Sequence, residues 1–570
     1  MQHRTWNHGW ARFCLMGIAA PLVMLSCSDE NDGDPEGDEN LDVVADAYAV
    51  TSEQRLIAFN RASGEIRTSL ELTGLAVTDS VLGVDFRPAD SALYALVTGG
   101  KLYTIDTASG AATLKSTLAA DTTDTTAPFA ALDGARFGVN FNPVADRLRV
   151  VSSTGQNLRI NVDTGATTTD GALNPGTPAA SAAAYSNSFA AACRTRLYII
   201  DTITGKLLLQ DPPNAGTLSE LGDLGAASTG GGWASLEVVT SNDGVSHALA
   251  FLPSDGGVTI YDVDLATAAL TAPRTLALRA GESLRGASSA PPTTAPTQPP
   301  GELVGVTVND RLVSFNRGAP GKPCTNAAIT GLGSGETTAG IDVRPADGKL
   351  YALSSGGKVY SIDIPTGAAT LTSTLSADPA DTSAPFTTLP AGSYGIGFNP
   401  VPDRLRVIGP DGINLRINVD TGLTTTDSSM APASMAVASV GYTNAMAGAT
   451  STTLYGIDRT SSGLIRIGGA PATGGACPDD TGNPNCGVVT MVGSLGVADI
   501  TGIDGFDIDG DPDAANAAYL ALRTGTATSS SLYVVDLTTG AASPPTGVAN
   551  PTIGGGEALR ELTLTANPTP

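Results

Sequence analysis

The chain has 570 residues, enough for at least two domains with complete cores. A formal net charge of −25 at pH 7 argues against a nucleic-acid partner, whose phosphates must be met by Lys and Arg. With 67 Gly, 36 Pro and only 15 % charged residues, and with Thr, Val, Ala and Leu between the turns, the composition predicts an all-β protein.

Met1–Ser26 reads as an export signal. Arg4 and Arg12 supply positive charge, and the apolar run Phe13–Leu25 is too short to span a bilayer stably. The run ends at Met24-Leu-Ser-Cys27, which resembles a bacterial lipoprotein signal and makes Cys27 the expected lipidation site and membrane anchor. Residues 27–41 are acidic and lack large apolar side chains, so a disordered tether is expected. The expected address is the outer membrane or cell surface, on the periplasmic or extracellular face. His3 and His8 lie in the leader, so a histidine base has one candidate beyond it, His247.

The rest of the chain is a duplication. Val81–Asp170 recurs without a gap at Thr338–Asp427, at an offset of 257 residues, as from Asp85 to Asp342. Asn157–Gly165 and Asn414–Gly422 are identical. The copies span 42–288 and 302–566 and are joined by a Pro-rich segment, 289–301, expected to be a semi-rigid linker. Inside each copy a smaller unit recurs. Its clearest form is Leu82–Pro88, Ala92–Leu96, Lys101–Asp106 and Ala112–Leu118, four short strands bounded by Gly, Pro, Asp or Thr-Gly. The first unit, Ala47–Leu72, has only three strands. Leu559–Leu564, and less clearly Leu284–Ser288, are expected to return as the missing strand. Together these features predict two tandem β-propellers of about five four-stranded blades each, over one larger ring or a pair of sandwiches.

Gly-Val-Asp-Phe-Arg-Pro-Ala-Asp from Gly83, the Phe-Asn-Pro-Val-x-Asp-Arg-Leu-Arg-Val run from Phe141, and Asn157–Gly165 resemble the bacterial family catalogued as domain of unknown function 4394. The resemblance covers both copies. It implies a propeller-like fold and no established activity. Copy 1 departs at Leu236-Glu-Val238, where copy 2 keeps Gly505-Phe-Asp-Ile508.

Several residue groups invite a chemical reading. Asp85, Glu237, Asp342, Asp507 and Glu561 lie on strands expected near a propeller axis, where paired carboxylates would suit a glycoside hydrolase. Asn140 is replaced by Gly397 in copy 2, and Glu237 matches Asp507 only approximately, which weighs against a shared catalytic set. Arg147, Arg149, Asn157, Arg159 and Asn161, with Arg404, Arg406, Asn414, Arg416 and Asn418 in copy 2, form either a polar ligand face or a buried network between blades. Asp507, Asp509, Asp511 and Asp513 alternate like the start of a calcium loop, but its Gly is at the wrong position and Ala518 stands where the terminal Glu is expected; otherwise no cofactor is expected. The recurring Asp-to-Gly turns, as at Asp106–Gly110 and Asp363–Gly367, are expected to be structural. Cys477 and Cys486 fall within about 14 residues added in copy 2 and are expected to pair. Cys193 and Cys324 have no evident partners and read as buried free thiols. The expected role is a non-enzymatic binding or scaffold module with a glycan or protein ligand. The alternatives are a five-bladed hydrolase and a purely structural envelope component.

Overall fold

A computed structural model describes residues 45–225, 232–254, 257–432, 435–468, 483–510 and 516–565. The leader and tether, with Cys27, lie outside the described residues. Among the described residues no helix is long and apolar enough to cross a membrane.

Among the described residues the strands form ten sheets of four or five strands, five from each copy. The first propeller's second to fifth blades follow chain order from their inner strands Val81–Arg87, Phe137–Asn142, Ala180–Tyr185 and Ser235–Thr240. Its first blade takes Ala47–Thr51, Arg55–Phe59 and Ile66–Glu71, and its inner strand, Leu284–Ser289, arrives last. The second propeller repeats this plan. Leu559–Leu564 pairs with Leu303–Thr307, as Leu284–Ser289 pairs with Ala47–Thr51. The expected closing strand is therefore present in both copies, including the one whose sequence announced it less clearly.

Each blade is apolar on both faces because it packs between two neighbours. Five apolar clusters result in each propeller, one per blade–blade interface, and none mixes the copies. Two closed rings follow, not one larger ring. Where first and last blades meet, Phe59 and Phe251 pack edge to face with ring centroids 6.0 Å apart, both fully buried.

The third blade of each copy carries one strand more than the sequence reading gave it. Ala119–Ala120, and Ser376–Ala377 in the second propeller, add in parallel to the outer strand. Asp124 Oδ2 accepts from the Thr169 amide at 2.9 Å, and Asp381 does the same for Thr426. The connecting loop so covers an outer edge that would otherwise show unpaired backbone groups.

Candidate functional site

The inner strand of a blade has a ladder partner on one side only. Amides on its other edge must find acceptors elsewhere. In the first propeller the adjoining blade supplies them. Asp85 Oδ2 accepts from the Phe141 amide at 2.6 Å, and Asn140 Oδ1 from the Tyr185 amide at 2.8 Å. Ser288 Oγ accepts from the Phe86 amide at 3.2 Å and donates to Asp85 Oδ1 at 2.7 Å. In the second propeller Asp342 Oδ2 takes the Phe398 amide, Asp507 Oδ2 the Leu564 amide at 2.9 Å, and Ser439 Oγ the Phe506 amide at 2.8 Å.

The five carboxylates expected near the axis are therefore on inner strands, and all are buried. Asp85 and Glu561 are 1 % exposed, Glu237 3 %, and Asp342 and Asp507 8 %. Burial pushes every one toward the neutral form: Asp85 up to about 7, Asp342 up to about 6, and Glu237, Asp507 and Glu561 well above the usual carboxylate range. The neighbouring acid adds to this, Asp85 for Glu237 and Asp342 for Asp507 and Glu561.

A hydroxyl sits between the acids in each ring. Thr563 Oγ1 lies 2.7 Å from Asp342 Oδ1 and 3.0 Å from Asp507 Oδ2. One hydroxyl has one proton, so the second contact needs a proton on a carboxyl. The chain Asp342–Thr563–Asp507 thus holds a proton between two acids. Ser288 stands at the corresponding place against Asp85 and Glu237. Strand pairing sets Glu237 opposite Leu249 and Asp507 opposite Tyr519, the same step of the ladder in each fifth blade. The match between these two acids is closer than the sequence suggested. Ser288 and Thr563 were missed because a small hydroxyl on a strand carries no signal of its own.

The third acid exists only in the second propeller. Glu561 Oε1 is bound by the Ser439 hydroxyl, while Oε2 has no partner. Gly286 occupies the matching step of the first propeller's closing strand, opposite Val50 as Glu561 is opposite Val306.

The arginine-rich strands resolve mainly as a network. Arg149 is 2 % exposed and donates to Asn157 Oδ1, Asp170 Oδ2 and Asn214 Oδ1, each at 2.7 Å. Arg406, 1 % exposed, makes the same three contacts with Asn414, Asp427 and Asn485. Arg159 and Arg416 reach the same aspartates from the solvent side. Asn161 and Asn418 open turns by accepting from Asp163 and Asp420 amides. Arg147 and Arg404 turn back to the carbonyls of Asp146 and Asp403. Arg147, Arg159 and Asn161 also line an open polar groove of about 560 Å³ with Asp121, Asp124 and Asp170.

The turn aspartates divide into two kinds. Asp106, Asp201, Asp363 and Asp536 accept from backbone amides two or three residues on, as the turn chemistry requires. Asp163 and Asp420 instead grip Arg87 and Arg344 of the preceding blade, which also hold Asp146 and Asp403.

Of the calcium-loop residues, Asp507 faces the axis and Asp509 faces Arg317 at 3.3 Å, so the two do not converge. Asp511 and Asp513 lie outside the described residues, among which no three acidic, His or Cys side chains gather as a metal set. Cys193 and Cys324 are not free thiols. They form a disulfide with Cα atoms 5.2 Å apart, joining the first propeller to the second. Their partnership was hidden because they occupy unrelated positions in the two copies. Cys486 is disulfide-bonded, and Cys477 lies outside the described residues.

The comparisons with known proteins add no activity. No curated protein matches. The extracellular domain of a proposed one-component system from B. thetaiotaomicron shares 10 % identity over 88 % of this chain, at a TM-score of 0.21, and the match spans only 58 % of that structure. The Dos1 propeller shares 14 % identity over 64 % of this chain and 90 % of its own, at 0.22. YCF48 bound to D1 peptide shares 10 % over 71 % and 93 %, at 0.22. Likeness at this level transfers no function. The match to the domain of unknown function DUF4394 is of another order, covering residues 55–286 and 311–559, and the chain belongs to that family, with the domain present twice in tandem.

Proposed function

We propose that this protein is an exported binding module, anchored through Cys27, whose two propellers form a rigid platform for a glycan ligand. One observation carries the reading. All five carboxylates that a propeller hydrolase would need are buried, and Asp85, Asp342 and Asp507 are shared with hydroxyls and bound to backbone amides of the adjoining blade. Hydrolysis of a glycosidic bond needs two carboxyls flanking a reachable substrate. The disulfide between copies supports an oxidising compartment. The charge of −25 weighs against nucleic acid as a ligand.

A specific feature favours the rival. Asp342, Asp507 and Glu561 approach one another in the second propeller, and burial pushes all three toward the protonated form that a general acid uses. The test is a glycan array with the purified mature chain, run beside hydrolysis of a pooled polysaccharide panel. Binding without turnover is expected. Turnover lost in Asp342→Asn with folding intact would make the protein a hydrolase.

A further inference from the structure

The fifth and first blades meet differently in the two propellers. In the second, Tyr519 packs into the apolar cluster at this seam. Its hydroxyl accepts from Arg317 Nη1 at 2.9 Å, and the guanidinium lies over the ring, 5.4 Å from the centroid. Arg317 is also paired with Glu302 at 3.1 Å and faces Asp509 at 3.3 Å. The first propeller keeps half of this arrangement. The Arg61 amide donates to Asp46 Oδ1 as the Arg317 amide donates to Glu302 Oε2, and the Arg61 guanidinium pairs with Asp46 at 2.8 Å. The tyrosine and the second aspartate are gone. Leu249 holds the ladder step of Tyr519, and Val239 stands where the second propeller has Asp509.

A pocket of about 850 Å³ lies at this place in the first propeller. Leu249 and Val239 line it, with Ala62 and the linker's Pro291 and Pro292 among its other apolar walls. Its charges cancel. Arg61 is matched by Asp46 and Arg274 by Asp262 at 2.7 Å, and among the described residues no other acid, lysine or arginine lines it. His247, the one histidine beyond the leader, stands where the second propeller has Ala517 and adds a hydrogen-bonding group to the lining. A mostly apolar pocket with balanced charge and a few polar groups suits an uncharged ligand. The second propeller indicates the shape, because there the protein's own phenol ring fills the corresponding place against the arginine.

We propose that the seam pocket of the first propeller binds an uncharged phenolic compound, whose ring takes beside Arg61 the place that Tyr519 takes beside Arg317. A guanidinium that keeps one carboxylate partner can still present its terminal N–H groups to a phenol oxygen and its plane to an aromatic face. The volume exceeds one ring and falls in the range that holds a drug-sized ligand. This site goes beyond the glycan reading and does not depend on it.

The test is calorimetric titration of the two-propeller chain with para-phenylphenol, its fully saturated analogue and para-phenylbenzoate. The phenol should bind. The saturated analogue should bind at least ~3-fold more weakly, for want of an aromatic face, and the benzoate should also bind more weakly, because its charge meets no free cation. Two variants copy residues that the second propeller already folds, and an unchanged melting temperature is the control for each. Leu249→Tyr fills the pocket with the chain's own phenol, and Val239→Asp puts a carboxylate into its wall; each should weaken phenol binding at least ~10-fold. Where Leu249→Tyr fails to fold, Val239→Asp decides. No binding of the phenol, equal binding of the saturated analogue, or folded variants that bind as tightly as the parent overturn the proposal. A glycan array unchanged in Leu249→Tyr supports a separate site, and a glycan that competes with the phenol overturns it.

Discussion

In the first propeller, Arg55 places Nε and Nη2 on the two oxygens of Glu282, just before the closing strand, and Thr51 adds a hydroxyl at 2.7 Å. The side chains are 6 % and 0 % exposed. In the second propeller, Glu557 stands before the closing strand in the same way, but Arg311 turns to Asn326 Oδ1 at 2.8 Å and Glu557 Oε2 has no partner. The third blades show the opposite behaviour. Arg149 with Asp170 and Arg406 with Asp427 keep every contact in both copies. A duplicated domain keeps what each ring needs to close its interior. It varies what staples the last strand, since the apolar interface and backbone ladder already hold that strand in place.

The largest effects should come where the copies agree. Asp170→Ala and Asp427→Ala each leave a buried guanidinium without its carboxylate, which costs about 3–5 kcal/mol. The loss should be similar in the two propellers, read as a shift of one of two transitions in urea unfolding. A loss confined to one copy would show that the shared contacts are not equivalent in energy. The next effect should separate the copies. Glu282→Gln removes a charge-assisted pair worth about 1.5–3 kcal/mol, whereas Glu557→Gln should cost under ~1 kcal/mol. The Arg55 hydrogen bond holds Glu282 down at about 2. Its contribution is complete above the ordinary glutamate range and is lost as pH falls from about 4.5 toward 2. Acid should therefore weaken the first propeller more steeply than the second, and Glu282→Gln should remove that difference. Equal acid sensitivity in parent and variant would sink the assignment.

Much of the architecture could be read from the chain because duplication and the four-strand unit are patterns of spacing, and spacing survives in sequence. Leu559–Leu564 alternates clearly and was recognisable as a closing strand. Leu284–Ser289 was harder, since Gly286, Ala287 and Ser288 offer little β signal and the strand is held by ladder pairing to Ala47–Thr51. The buried role of Arg149 stayed open, because a strand with alternating polar residues looks alike whether it meets a ligand or a neighbouring blade. Distant partners settle it: Asn214 lies 65 residues away. The disulfide was illegible for a related reason. Copy-to-copy comparison finds residues that match, and Cys193 and Cys324 do not match each other.

The smallest of these effects tests the axis. Asp85 titrates at about 7 and Asp342 at about 6 in the folded chain, both raised by burial from 3.8. The folded state therefore holds protons that the unfolded chain releases. The resulting stability is complete below about 4 and is lost as pH rises, through about 7 in the first propeller and about 6 in the second. The direction is opposite to that of Glu282, so the first propeller should be most stable between its two windows. Asp85→Asn keeps an acceptor for the Phe141 amide, and its amide group can donate to Ser288 Oγ. It also removes the charge that opposes ionisation of Glu237. The variant should flatten the fall in melting temperature between pH 4 and 8, with a gain of about 1–2 kcal/mol at the alkaline end after allowance for relaxation around a buried charge. Asp342→Asn should do less, since Asp507 and Glu561 remain as two acids sharing the second axis. A parent whose melting temperature rises steadily from pH 4 to 8, or an Asp85→Asn variant less stable than the parent at pH 8, would show that these carboxyls are ionised in the fold. The proton chain through Ser288 and Thr563 would then have to be abandoned.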